Sequence, residues 1–195
     1  AALRAQNFTT ATNTLNVAVG ASAGLSVTTG INNTLIGANA GDALTDADYN
    51  VAIGEAALST DTLGSRNVAV GRAALANQNF TTATSSYNVG VGYGAGSAVT
   101  TGTRNTLVGG LSGDALTTGA NNTTLGYAAL SGDTLGSRSV AIGYEVLGSQ
   151  NFTTATEADN TAVGYSAGNA ITTGVKNTLI GTLAGDALTD ADNNV

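Results

Sequence analysis

A five-residue phrase ending in glycine recurs along this chain and constrains its fold more than any other feature. It reads Asn16-Val-Ala-Val-Gly20, Asn33-Thr-Leu-Ile-Gly37 and Asn50-Val-Ala-Ile-Gly54, and it continues through Gly71, Gly92, Gly109, Gly126, Gly143 and Gly164 to Gly181. Successive glycines lie 17 residues apart, except that every fourth step is 21, so the pattern closes every 72 residues. The phrase Gln-Asn-Phe-Thr-Thr-Ala-Thr marks the longer period at 6–12, 78–84 and 150–156. Self-similarity at a short fixed period belongs to solenoids, in which each unit contacts only its neighbours. The chain therefore reads as one continuous array over 1–195, in blocks 6–77, 78–149 and 150–195 with the last incomplete, and as a segment of a longer fibre.

The columns of the repeat predict strands. The residues one and three before each glycine are mostly β-branched (Val17 and Val19, Thr34 and Ile36, Val51 and Ile53). Positions two apart share one face of a strand, whereas a helix needs steps of three or four. This pair is expected to point inward, with Val19, Ile36 and Ile53 in one buried file. A second apolar column follows the glycine by seven or nine residues (Val27, Leu44, Leu63, Phe80). The offset is nine where the fourth residue after the glycine is Leu (Leu58, Leu75) and seven where it is Gly (Gly24, Gly41), so two ways of closing the same coil are expected. Asn precedes nearly every glycine by four, which suits an axial ladder of side-chain amides. The expected fold is all-β: a parallel β-roll or β-solenoid of 17-residue coils, every fourth coil 21.

The residue two before the glycine is then expected to face outward. It is apolar nearly throughout and is Leu at 35, 107 and 179. An apolar stripe on a polar rod marks an interface, so Leu35, Leu107 and Leu179 are candidates for an inter-chain contact. The other reading gives the stripe a second inner layer of a fatter single-chain solenoid.

Composition narrows the chemistry. The 195 residues include no His, Cys or Pro, and the net charge is −7. These absences remove Cys/His zinc sites, thiol nucleophiles and imidazole bases, and the acidic balance argues against nucleic acid. No apolar run is long enough for a membrane helix, and no charged and apolar leader opens the chain. Most polar positions are echoed 72 residues on, which is unlike the unique constellation of a catalytic site. No enzyme, cofactor or resident metal is expected.

Asp46-Ala-Asp48-Tyr-Asn50 and Asp190-Ala-Asp192-Asn-Asn194 resemble the start of a calcium loop, but the middle block has Thr118-Gly-Ala-Asn-Asn122, and a solvated turn is the preferred reading. Tyr127, Tyr144 and Tyr165 fall on three consecutive coils and predict an aromatic ladder. With Tyr93 they are candidate surface contacts for a glycan or another protein, against the plainer reading of mutual stacking. Thr pairs such as Thr28-Thr29 and Thr100-Thr101 raise ice binding, although the rank they would need is interrupted. Phe80 and Phe152 are expected to cover the core at the longer coils. Asp61 with Arg66, and Asp133 with Arg138, are expected to pair across a turn.

Asn-x-Ala-(Val/Ile)-Gly-x-x-Ala-Gly resembles the repeat of trimeric autotransporter adhesin heads. Asn160-Thr-Ala-Val-Gly-Tyr-Ser-Ala-Gly-Asn-Ala-Ile-Thr-Thr-Gly174 is similar to repeats of phage tail-fibre and other surface-fibre proteins. The resemblance covers the whole chain and implies a left-handed β-roll wound as a homotrimer on the outside of a cell or virion. The expected function is a rigid spacer that presents attachment surfaces. The alternatives are a self-assembling extracellular filament and a glycan- or ice-binding surface. The expected partner is the chain itself, with a cell-surface glycan or receptor as a further one.

Overall fold

A computed structural model describes residues 1–195. The chain forms strands β1 (Val17–Val19), β2 (Thr34–Ile36), β3 (Val51–Ile53), β4 (Gly64–Ser65), β5 (Val68–Val70), β6 (Thr84–Ser85), β7 (Val89–Val91), β8 (Thr106–Val108), β9 (Thr123–Leu125), β10 (Gly136–Ser137), β11 (Val140–Ile142), β12 (Thr156–Glu157), β13 (Thr161–Val163) and β14 (Thr178–Ile180), and no helix. Ten of them make one parallel sheet in chain order, omitting β4, β6, β10 and β12. Each strand pairs with its equivalent one coil later: Val17 opposite Thr34, Ala18 opposite Leu35, Val19 opposite Ile36. The register holds across the longer coils, where Val68 meets Val89 and Val140 meets Thr161. The molecule is a parallel β-solenoid of about ten turns, stacked at about 4.8 Å per turn. The four extra residues of each longer coil leave the stack as a loop, tied down where β4 pairs with β6 and β10 with β12. Thr81, Thr82 and Ala83 protrude there, while Phe80 and Phe152 are buried beneath, as expected.

The facing of the strands is the reverse of the expectation. The middle residue of each strand points inward: Leu35, Ala52, Ala69, Leu107, Thr124, Ala141 and Ala162 are fully buried. The flanking β-branched residues point out, with Val19 58% and Ile36 37% exposed and Ile53 half-buried. Equivalent side chains do lie directly over one another, but Val19, Ile36 and Ile53 form an outer file. Leu35, Leu107 and Leu179 belong to the hydrophobic core and form no inter-chain stripe.

Interior volume explains the reversal. The coil is so narrow that one large side chain fills the space behind each strand, and three positions share that space. Where the strand centre is Leu, as at Leu35, the fourth residue after the glycine is Gly41; a Cβ there would come within 2.8 Å of both Leu35 and Leu44. Where that fourth residue is Leu, as at Leu58 and Leu75, the strand centre shrinks to Ala52 and Ala69. These leucines take up φ of 52° and 50° so that they can reach the core, a conformation that costs a branched L-residue about 1 kcal/mol. Polar pairs obey the same volume rule: Thr124 replaces the usual Ala at the strand centre, Ser112 replaces the Ala facing it, and their hydroxyls lie 2.5 Å apart.

The corners are held by the two recurrent residues. Gly54 has φ of +134°, and a Cβ on it would lie 2.5 Å from the Gly71 carbonyl oxygen of the next coil. The Asn column is buried and bonds along the axis. The Asn50 Oδ1 accepts the Asn67 backbone N–H at 3.0 Å, and its Nδ2 donates to the Gly64 carbonyl at 3.0 Å. The same bond runs from Asn16 to Ser139, each Oδ1 taking the next N–H at 2.8–3.0 Å. A buried backbone N–H that no strand ladder reaches is thereby satisfied in these coils; Ser139 interrupts the file, which resumes from Asn160 through Asn177 to Asn194.

Two results are expected. Asn50→Ala orphans the Asn67 N–H and the Gly64 carbonyl, and chemical denaturation should show a loss of about 2–4 kcal/mol. The second concerns Asp42 and Asp114, each with one carboxylate oxygen buried and without a hydrogen-bond partner. Desolvation pushes both pKa values above 3.8, partly offset by a backbone hydrogen bond. The folded state then binds these protons more tightly than the unfolded chain. Their contribution is greatest below pH 3.8 and falls away as pH rises through the folded pKa values. Melts of Asp42→Asn against pH should show a higher Tm at neutral pH and a smaller gain on acidification than the parent.

Candidate functional site

The outer face of the ten-stranded sheet is an extended surface that the fold leaves uncovered. Two files of mainly β-branched side chains run its length, from Val17 and Val19 at one end to Thr178 and Ile180 at the other. Stacked neighbours half-bury those in the middle, such as Val68, Val70, Val91 and Ile142, but nothing covers the sheet from outside. β-branched residues keep the face stiff and level, because neighbours restrict χ1.

Aromatic and charged residues border the face. On one border, five residues before the glycine, Arg66 sits between two tyrosines, its guanidinium 5.2 Å from the Tyr49 ring centroid and 5.8 Å from that of Tyr87. On the other, immediately after the glycine, Arg72 pairs with Glu55 at 3.0 Å and lies 5.7 Å from the Tyr93 ring. Further along this border, Tyr127 and Tyr144 stack at 5.5 Å with planes 19° apart, and Tyr144 and Tyr165 at 5.4 Å and 6°. The aromatic ladder read from the sequence is therefore present, with each ring about half exposed. The neighbouring Glu145 carboxylate raises the pKa of the Tyr144 hydroxyl above its ordinary value by hydrogen bonding. Tyr93 is not part of the ladder, because Gly110 occupies the coil between it and Tyr127.

Several expected contacts are replaced by others. Asp61 does not pair with Arg66. It is fully buried, and its carboxylate accepts from the Gly64 N–H at 3.0 Å, the Phe80 N–H at 3.0 Å and the Gln78 Nε2 at 2.6 Å. Asp133 repeats this with Gly136, Phe152 and Gln150, while Arg138 pairs instead with Glu157 at 2.6 Å. The loop of the longer coil accounts for the change: its Phe80 or Phe152 N–H turns inward, and the buried carboxylate accepts it together with the Gly64 or Gly136 N–H of its own turn. These Asp–Gln pairs occupy the position that holds Val27 or Leu44 in other coils. Their signal in the sequence was the coupling of Leu58 and Leu75 to a polar residue three positions later.

The acidic turns are also internally bonded. The Asp48 carboxylate takes the Ile31 N–H at 2.8 Å, that of Asp192 takes the Val175 N–H at 2.8 Å, and Asp46 accepts from the Thr29 hydroxyl at 2.6 Å. The Thr column spends its hydroxyls in the same way: Thr28, Thr45 and Thr117 each donate to the carbonyl of the next coil at 3.0–3.2 Å. These groups stiffen the stack and present no rank of free hydroxyls.

Compared with known proteins, the chain matches no family model, no curated protein and no solved structure. Tyr93 stands apart from the stacked tyrosines of this border. Tyr93 is 57% exposed, and its ring and hydroxyl meet the Arg72 guanidinium; denaturation of Tyr93→Ser should give a stability within about 0.5 kcal/mol of the parent.

Proposed function

We propose that this chain is a non-catalytic structural segment of an extracellular or virion-surface fibre, with three copies packed about a common long axis. The observation that carries the reading is the uncovered sheet face, ten strands long, with an unbroken aliphatic file from Val19 to Ile180 beside a mixed Val/Thr file, bordered by tyrosine and arginine. A continuous apolar patch is rare on a lone soluble chain. An apolar centre with a Tyr- and Arg-rich rim is the composition of a protein interface. Rotation about the rod axis closes such an assembly without leaving an exposed copy of the face. The similarity of the Asn-x-Ala-(Val/Ile)-Gly phrase to adhesin-head repeats favours three as the number.

The mechanism is mechanical. Stacked coils joined by backbone and Asn side-chain bonds resist bending and local opening, so the array sets a distance and holds whatever lies at its ends. The protruding Thr-Thr-Ala loops at 81–83 and 153–155 recur four coils apart, about 19 Å, and offer repeated attachment points along it.

Light scattering after size exclusion tests the assembly. The expected mass is three times the 19.0 kDa of one chain. Val70→Asp places a charge on the outer face without entering the core. It should reduce the mass to that of a single chain while the β-sheet circular dichroism persists. A parent chain that runs as a monomer at high concentration would refute the trimer.

A further inference from the structure

We infer that the chain carries a slot for one neutral pyranose ring between Tyr93 and Tyr127, opened by Gly110. Backbone bonds place these residues one coil apart in register: the Leu111 N–H donates to the Tyr93 carbonyl at 2.9 Å and the Ala128 N–H to the Gly110 carbonyl at 3.0 Å. Tyr93 and Tyr127 are therefore two coils apart, about 10 Å. Each has one ring face already covered from behind, Tyr93 by the Arg72 guanidinium and Tyr127 by the Tyr144 ring. The coil between them carries no side chain at Gly110, and the Tyr127 ring borders that position, 3.6 Å from where a Cβ would stand. A ring placed midway lies about 5 Å from each, close to the 5.4–5.5 Å at which the tyrosines of this border stack on one another.

The fold itself does not require glycine here. Gly110 has no positive φ, and a Cβ on it would meet only the Tyr127 ring, at 3.6 Å, an ordinary contact. Most other glycines of the repeat have a positive φ or would press a Cβ into a neighbour. The missing side chain at 110 thus leaves an aromatic ladder with one rung empty.

The chemistry selects the occupant. Two aromatic faces prefer a ring with C–H bonds on both sides, which describes a pyranose whose substituents are all equatorial, the β-gluco configuration. Hydroxyls then radiate in the ring plane toward water and the Tyr93 hydroxyl, itself 3.4 Å from the Arg72 guanidinium. An axial hydroxyl, as in galacto or manno sugars, would press against one tyrosine. An acidic sugar is disfavoured by the net charge of −7. The slot is built within one chain and does not depend on the trimer.

Ligand-observed NMR titration with methyl β-D-glucopyranoside and cellotriose, on the chain in whatever assembly it adopts, tests the slot. Saturable binding is expected, weaker by roughly tenfold for the galactoside and mannoside. Gly110→Tyr should fill the empty rung, keep or raise the Tm and weaken binding roughly tenfold or more. Tyr127→Ser should weaken it likewise, and Tyr165→Ser, at the far end of the ladder, should not. Absence of binding to the parent, equal binding of all epimers, or binding unchanged in both Gly110→Tyr and Tyr127→Ser would overturn the inference. So would p-cresol binding to the parent while the glucosides do not, which would mark the slot as one for a protein aromatic.

Discussion

The structure depends on the stacking of identical backbone corners, each held by a buried Asn and a glycine at positive φ. The Asn side chain bridges the gap that strand bonds leave, accepting one N–H and donating to one carbonyl of the next coil. The glycine lets the next coil approach to a distance that a Cβ would forbid. Together they set the register at every turn. Equivalent residues are then superposed, and a side chain is judged mainly by the one above and the one below it. This is why ladders of one residue type run along the rod: Asn inside, Thr hydroxyls to successive carbonyls, and tyrosine on tyrosine outside.

Superposition also makes interior volume a shared quantity. Leu35 fits because Gly41 gives way, and Ala52 is small because Leu58 swings in beside it. The buried Asp61–Gln78 pair is tolerated because Leu58 and Leu75 have already filled the apolar space, leaving Asp61 to accept the Gly64 and Phe80 N–H groups. The longer period is thus a packing cycle of four coils, in which small, large, acidic and amide-bearing interiors alternate. The external loop at each longer coil is the outward sign of that cycle. A rod built this way devotes its interior to cohesion, while its border residues, Arg66, Arg72 and the tyrosines, vary from coil to coil without disturbing the stack.

The repeat period alone made the parallel solenoid legible, because a 17-residue unit with β-branched pairs and a corner glycine has few other ways to satisfy its backbone. The tyrosine ladder was legible for the same reason: one column on consecutive coils must stack. Which side of each strand faces the core was not. Val-Ala-Val alternates whichever way it faces, and a rule that puts the bulkiest residue inside selects the wrong side when the interior is narrow. The coupling of Leu35 with Gly41, and of Ala52 with Leu58, held the answer, since only residues that share a space compensate in size. Asp61 was misplaced because charge suggested a surface partner, whereas the inward N–H groups of the loop are invisible until the chain is folded.

By itself, then, the sequence determined the period, the parallel register and the axial ladders, all of which follow from translation of one local unit. The tertiary structure decided which face of that unit is inside and which polar groups are buried. Those depend on the cross-section of the coil, and a cross-section exists only once the strand, the glycine corner and the returning turn have closed around the same few side chains.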